Sequence, residues 1–172
     1  MRKINIDKSW RFGHGLYGGL ASFFGSDSSV EVNLPHDYMI AENVSETAPA
    51  GPASGFYTAG VAYYTKLLFL PDEWKDQEIY LNFDGVMMNA TVDINGCKAA
   101  MQHYGYAPFF VNITPYVYFG KENRITVTVN PSMQPNSRWY SGAGIFRSVE
   151  LLHMPKLHIA PNGIFGYTSQ IE

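Results

Sequence analysis

The chain has 172 residues and a formal net charge of -3, with 46% hydrophobic, 16% charged and 15% aromatic residues. That length suits one domain with a substantial core, and the apolar and aromatic content excludes intrinsic disorder. The acidic balance supplies no basic field for a phosphate backbone, and no stretch reaches the roughly 18 apolar residues a spanning helix needs, so neither a nucleic-acid nor a membrane partner is expected.

From the start of the chain, MRKINIDKSW becomes charged too early for a signal-peptide core, which makes a cytoplasmic chain the expectation, with a periplasmic or secreted parent open if a leader was removed. A strand is expected over 30–34, ended by Pro35 in NLPHDY, where His36 and Asp37 can present a donor and an acceptor to a ligand or form an ion pair or turn cap. The segment 39–60 has no period and much Pro, Ala and Gly, and reads as an irregular surface excursion. A strand is expected over 62–70, then a single acidic turn at LPDEWKDQ. In QEIYLNFDG, Ile79, Leu81 and Phe83 alternate with polar residues, the period of a half-buried strand. ATVDING directs Val92 and Ile94 inward, and Asn95-Gly96 tolerates the positive φ values of a tight hairpin, so the chain should return as a strand over 98–101. The single cysteine, Cys97, excludes an internal disulfide and any multi-cysteine metal site. Further strands are expected over 108–113, in NRITVTVN with Ile125, Val127 and Val129 inward, over 147–153 with Arg147 as a structural first residue, and over 164–171, where no return partner is evident. Short strands punctuated by Gly, Pro, Asn and Asp define the expected fold class: all-β, an antiparallel β-sandwich in jelly-roll or related order.

Reactive groups are sparse. The five histidines do not fall at zinc-ligand spacing, no glycine-rich phosphate loop opens a helix, and SGAGIF lacks a nucleophile elbow, so no metal, cofactor or serine nucleophile is expected. Asp84 and Asp93 lie beside turns and read as caps of backbone amides. Aromatic residues instead gather on loops: Phe56 and Tyr57, Tyr104 and Tyr106, Trp139 and Tyr140. Rings flanked by Asn, Asp, His and Arg suit sugars, which present flat apolar faces edged by hydroxyls; burial against the sandwich edge is the alternative for any one ring.

Seven segments in order, KINIDKSWRF, VNLPHDY, GVAYYTKLLFLP, IYLNFDGVMMNATVDING, HYGYAPFFVNIT, NRITVTVN and SRWYSGAGIFRSVEL, together resemble the N-terminal sugar-binding domain of glycoside hydrolase family 2, which includes β-galactosidases and β-glucuronidases. The resemblance implies a jelly-roll (galactose-binding-domain-like) over residues 1–155. It also implies that 156–172 lead into an immunoglobulin-like domain, ahead of a TIM barrel that carries both catalytic glutamates. The chain itself would then be non-catalytic and inactive in isolation, within a homo-oligomeric parent. Some members extend a loop to the active site and place an acidic side chain six residues before the glycine of a GI-x-R motif; counting back from Gly144 reaches Arg138, a cation that donates in a fixed fork and accepts nothing. The candidate substrate-binding residues are accordingly Arg138, Trp139, Tyr140, His36, Asp37 and Tyr106. A β-galactoside is the first expectation, from RWYSGAGIFR, and a β-glucuronide the second, because arginine pairs with carboxylates. A salt bridge or stacking on Trp139 is the structural alternative for Arg138. An independent carbohydrate-binding module and a purely structural packing domain are the competing readings of the whole chain.

Overall fold

A computed structural model describes residues 2–18, 29–135 and 137–170. Among these described residues ten strands form two antiparallel sheets. They are β1 (Arg2–Asn5), β2 (Trp10–His14), β3 (Val30–Val32), β4 (Ala62–Leu70), β5 (Gln77–Phe83), β6 (Ala90–Ile94), β7 (Cys97–Gln102), β8 (Phe109–Asn112), β9 (Lys121–Val129) and β10 (Val149–Pro155). The smaller sheet runs β1-β10-β5-β8 and the larger β3-β2-β4-β9-β6-β7, so the two-sheet sandwich read from the strand periods is the architecture observed.

The alternation in sequence becomes two sheet faces because successive side chains on a strand point to opposite sides. Ile79, Leu81 and Phe83 on β5, Val92 and Ile94 on β6, and Ile125, Val127 and Val129 on β9 are all fully buried between the sheets. Register aligns them into rows: Tyr64, Val127 and Val92 face one another across β4, β9 and β6. The hairpin joining β6 to β7 turns at Asn95 (φ 53°) and Gly96 (φ 84°), the two positive angles that Asn-Gly supplies without a steric penalty. A register shift between Val92 and Asp93 follows from one extra residue on β7 and bends that edge.

One polar residue closes the end of the larger sheet. Asn123, 1% exposed, accepts from the Tyr118 amide at 2.7 Å and from Asn95 Nδ2 at 2.8 Å, and donates to the Tyr118 and Lys121 carbonyls at 2.8 and 3.2 Å. Asn95 returns its own oxygen to the Arg124 amide at 2.9 Å, so hairpin, turn and strand share one amide network.

Several expectations need correction. The strand expected over 164–171 is absent: residues 164–170 carry no strand, Ile164, Phe165 and Tyr167 are exposed, and residue 171 lies outside the described residues. Alternation alone does not make a strand when no described neighbour pairs with it. The last strand begins at Val149, not Arg147, because the preceding residues are taken up in a loop ladder; Arg147 is exposed, with its guanidinium 5.1 Å from the Phe146 ring. Asp93 caps no turn amide, since its place on β6 aims it out of the sheet. The segment 39–60 is irregular as expected, with short 3-10 turns at Met39–Ala41 and Gly51–Ser54. The opening KINIDKSWRF contributes two strands, one to each sheet.

Replacing Asn123 by Ala removes four hydrogen bonds and takes their side-chain partner from the Tyr118 amide and the Tyr118 and Lys121 carbonyls. A loss of about 2–4 kcal/mol is expected, read as a lowered urea midpoint at unchanged slope.

Candidate functional site

The loop between β9 and β10 has a locked root and an exposed tip. Its root, Ala143 to Ile145, lies between two other segments and bonds to both. His36 N–H donates to the Ile145 carbonyl at 2.8 Å and Tyr38 N–H to the Ala143 carbonyl at 3.0 Å. On the other side, Met87 and Gly144 exchange two bonds, at 2.9 and 2.8 Å. Ala143 and Ile145 are fully buried. Gly144 has φ 130°, and a Cβ there would stand 2.5 Å from the His36 carbonyl and from the Tyr64 hydroxyl, so only glycine fits.

Asp37 fixes the same loop from its side chain. Oδ1 accepts from the Met39 amide at 3.1 Å and the Ala143 amide at 2.9 Å, and Oδ2 accepts from the Tyr140 hydroxyl at 2.8 Å. Gly142 passes close enough for a Cβ to stand 2.7 Å from Oδ2. Burial, then the bond to Asp37 and its negative charge, push the Tyr140 hydroxyl well above the ordinary phenol range, so it stays a donor. The Tyr57 ring meets Tyr140 edge-on at 5.5 Å, which ties the 39–60 segment to this anchor.

His36 faces inward. Its Nδ1 lies 2.8 Å from the Tyr64 hydroxyl, and its ring meets Phe12 at 4.9 Å. Burial lowers the His36 pKa below its ordinary value, partly offset by the adjacent Asp37 charge, and burial pushes the Tyr64 hydroxyl well up. The imidazole is therefore held neutral beside a Tyr64 that remains protonated, and the two share this hydrogen bond, the Tyr64 hydroxyl also reaching the His36 carbonyl at 3.4 Å.

Beyond this root the tip is open. Trp139 is 61% exposed, and its Nε1–H donates to the Tyr106 hydroxyl at 3.3 Å. Tyr106 meets Tyr104 edge-on at 5.7 Å and Phe146 at 6.2 Å. Ser137 Oγ donates to the Trp139 carbonyl at 2.6 Å, which tightens the turn that presents the indole. Between Trp139, Tyr104, Tyr106, Met87 and Met88 lies a cleft of about 290 Å³, close to the lower limit for small-ligand sites. Arg138 is exposed and, among the described residues, makes no hydrogen bond, ion pair or ring contact, so no described residue supplies either structural alternative raised for it.

The six sequence-derived candidates thus divide by position. Trp139 and Tyr106 meet at the cleft, Arg138 precedes Trp139 in the chain without lining the cleft, and Tyr140, His36 and Asp37 form the root on which the tip stands. Met87 and Met88 were not foreseen; nothing in GVMMN distinguishes cleft methionines from core ones. Among the described residues no group of three or more His, Cys, Asp or Glu is arranged to hold a metal, and no helix is long and apolar enough to cross a membrane.

A two-sheet antiparallel sandwich with an aromatic cleft carried on edge loops is an architecture that lectin domains share with other all-β proteins. The sugar binding domain of glycosyl hydrolases family 2 matches residues 24–155, and the chain belongs to that family. It is 35% identical over 172 residues to a β-galactosidase of Bacteroides ovatus, covering 99% of this chain and 20% of that protein. It is 30% identical over 163 residues to a β-glucuronidase of Bacteroides fragilis, covering 92% and 21% respectively. A crystal structure of a family 2 glycosyl hydrolase from Bacteroides cellulosilyticus superposes with a TM-score of 0.82 at 32% identity, over 90% of this chain and 21% of that one. The chain therefore spans about a fifth of the length of these relatives.

Two outcomes follow from the root. Asp37→Ala removes three hydrogen bonds and should cost about 2–4 kcal/mol, with a red-shifted, more quenchable Trp139 emission as the tip loosens. Because the His36 pKa is lowered on folding, its stabilising contribution is complete above its unfolded value of about 6.5 and is lost as pH falls through the lowered folded value. Thermal melts of the wild type should lose stability over that window, and His36→Gln should flatten the loss.

Proposed function

We propose that this chain is the non-catalytic N-terminal domain of a retaining exo-glycosidase that hydrolyses terminal β-glycosides, with a β-galactoside as the parent's substrate. The observation that carries the reading is the asymmetry of the 137–146 arm: a root bonded on both sides, and a tip that holds an exposed indole and an unpaired guanidinium. A rigid root lets such a tip meet a ligand without first losing conformational freedom. In the parent, the tip forms one wall of a substrate site whose reacting groups come from elsewhere in the protein. Trp139 packs on the apolar face of the sugar, Tyr106 holds the indole, and Arg138 donates to ligand oxygens. His36, Asp37 and Tyr140 serve binding by holding the arm. The domain spans residues 1–155, and 156–172 lead toward an immunoglobulin-like domain, a reading supported by the exposure of Leu157 (93%) and Phe165 (87%).

A β-glucuronide is the second reading, favoured by one observation: Arg138 has no partner among the described residues and can form a bidentate pair with a carboxylate. The names of the relatives divide between the same two activities.

Kinetics of the full-length parent on aryl β-galactoside and aryl β-glucuronide test both. The first reading expects the galactoside to be preferred and Trp139→Ala to lower its kcat/KM about tenfold or more, ~1.4 kcal/mol. A preferred glucuronide whose turnover Arg138→Ala abolishes selectively would put the second reading in its place. Unchanged kcat/KM in both variants reduces the arm to packing. The 172-residue chain alone is expected to release no aryl alcohol from either substrate.

A further inference from the structure

Another surface holds recognition chemistry that neither the fold nor the arm uses. A groove of about 670 Å³ crosses the outer face of the larger sheet over β4, β9 and β6, lined by Tyr17, Asp93, Arg124, Thr126 and Thr128, with Glu122 at one end. Register explains the grouping. Asp93 stands opposite Thr126, which stands opposite Thr65; Thr91, Thr128 and Tyr63 form the adjacent row. Their inward neighbours Val92, Ile94, Ile125 and Val127 are fully buried, so these rows project away from the core. Tyr63 covers Gly13 so closely that a side chain at that position would collide with its ring. Tyr17 meets Tyr63 edge-on at 5.4 Å, and the Arg124 guanidinium sits 5.5 Å from the Tyr17 ring centroid.

Asn95 in the groove wall is consumed by the amide network with Asn123, and Arg124 lies over Tyr17, but four other polar side chains of the groove have no partner among the described residues. The carboxylates of Asp93 and Glu122 and the hydroxyls of Thr126 and Thr128 bond to no described residue. Lys98, opposite Asp93 in the β6–β7 register, forms no ion pair with it. Strands β4, β9 and β6 are interior to the sheet, so their backbone groups are already paired and an added peptide strand has no edge to join. Recognition here must use side chains.

We infer that this groove is a binding site for a neutral oligosaccharide. Sugar hydroxyls both donate and accept, and the groove offers carboxylate acceptors, a guanidinium donor and hydroxyls of both kinds. Tyr17, 41% exposed, supplies apolar surface for a pyranose face, and the volume lies within the range of small-ligand sites. Two carboxylates against one guanidinium leave the lining negative, which disfavours phosphate, sulfate and uronate groups. The groove shares no lining residue with the Trp139 cleft, so the inference stands independently of the arm's role.

Titration of the 15N-labelled 172-residue chain with cellotetraose, xylotetraose and β-1,4-galactotetraose, each to about 10 mM, tests it by amide and indole shifts. Saturable changes at Asp93, Arg124, Thr126 and Thr128 are expected with at least one probe, while the Trp139 indole resonance stays in place. Asp93→Ala should weaken that response about tenfold or more; if that variant does not fold, Arg124→Met, altered at an exposed side chain, gives the same reading. Changes confined to Trp139 and Tyr106 would assign the sugar to the cleft and overturn the groove while sparing the arm. Silence at the groove with all three probes, or an undiminished response in the folded variants, overturns it as well.

Discussion

The carboxylate of Asp37 joins parts of the chain more than a hundred residues apart. It accepts from Met39 in its own loop and from Tyr140 and Ala143 in the arm before β10, using both oxygens. A charged acceptor satisfied by backbone amides and a phenol is among the stronger hydrogen-bonded arrangements available to a half-buried site. With the bonds from His36 and Tyr38 to Ile145 and Ala143, it holds an irregular segment in a short hydrogen-bonded layer beside the 36–38 loop. Met87 closes that layer from the other side through Gly144.

Everything distal to this layer inherits its rigidity. Trp139 projects into solvent, yet its indole is held by Tyr106, whose ring rests against Phe146 on the arm's own far end. The cleft is therefore a product of two loops, 104–106 and 137–141, both packed on Met87 or bonded beside it. The contact of Tyr57 with Tyr140 gives the long 39–60 excursion a place in the same assembly. Aromatic residues that look redundant one by one act here as a connected support.

Periodicity made the sandwich legible because a half-buried strand must alternate: Ile79, Leu81 and Phe83 on β5, Val92 and Ile94 on β6, and Ile125, Val127 and Val129 on β9 are all buried at every second position. Asn95-Gly96 announced its hairpin through backbone freedom alone. The same logic misled at 164–171, where alternation exists but no ladder partner stands beside it, and at Arg147, where the apolar pattern runs on past the point at which the backbone joins the arm ladder. His36, Asp37 and Tyr140 were recognisable as unusual polar and aromatic residues. Their division from Trp139, Tyr106 and Arg138 was not, because residue type says nothing about which way a loop faces.

The amino-acid sequence by itself determined the class of fold, the inward face of the main strands and the family, since these depend on local period, turn chemistry and ordered motifs that any reader of the chain can count. Only the tertiary structure decided which polar groups are consumed by the fold and which remain open. Asp37 and Asp93 are both aspartates near loops or turns, yet one is bonded by its own loop and the arm and the other faces the groove over β9. Hydrogen-bond partners are set by register and by the approach of distant segments, and both arise only once the two sheets have packed.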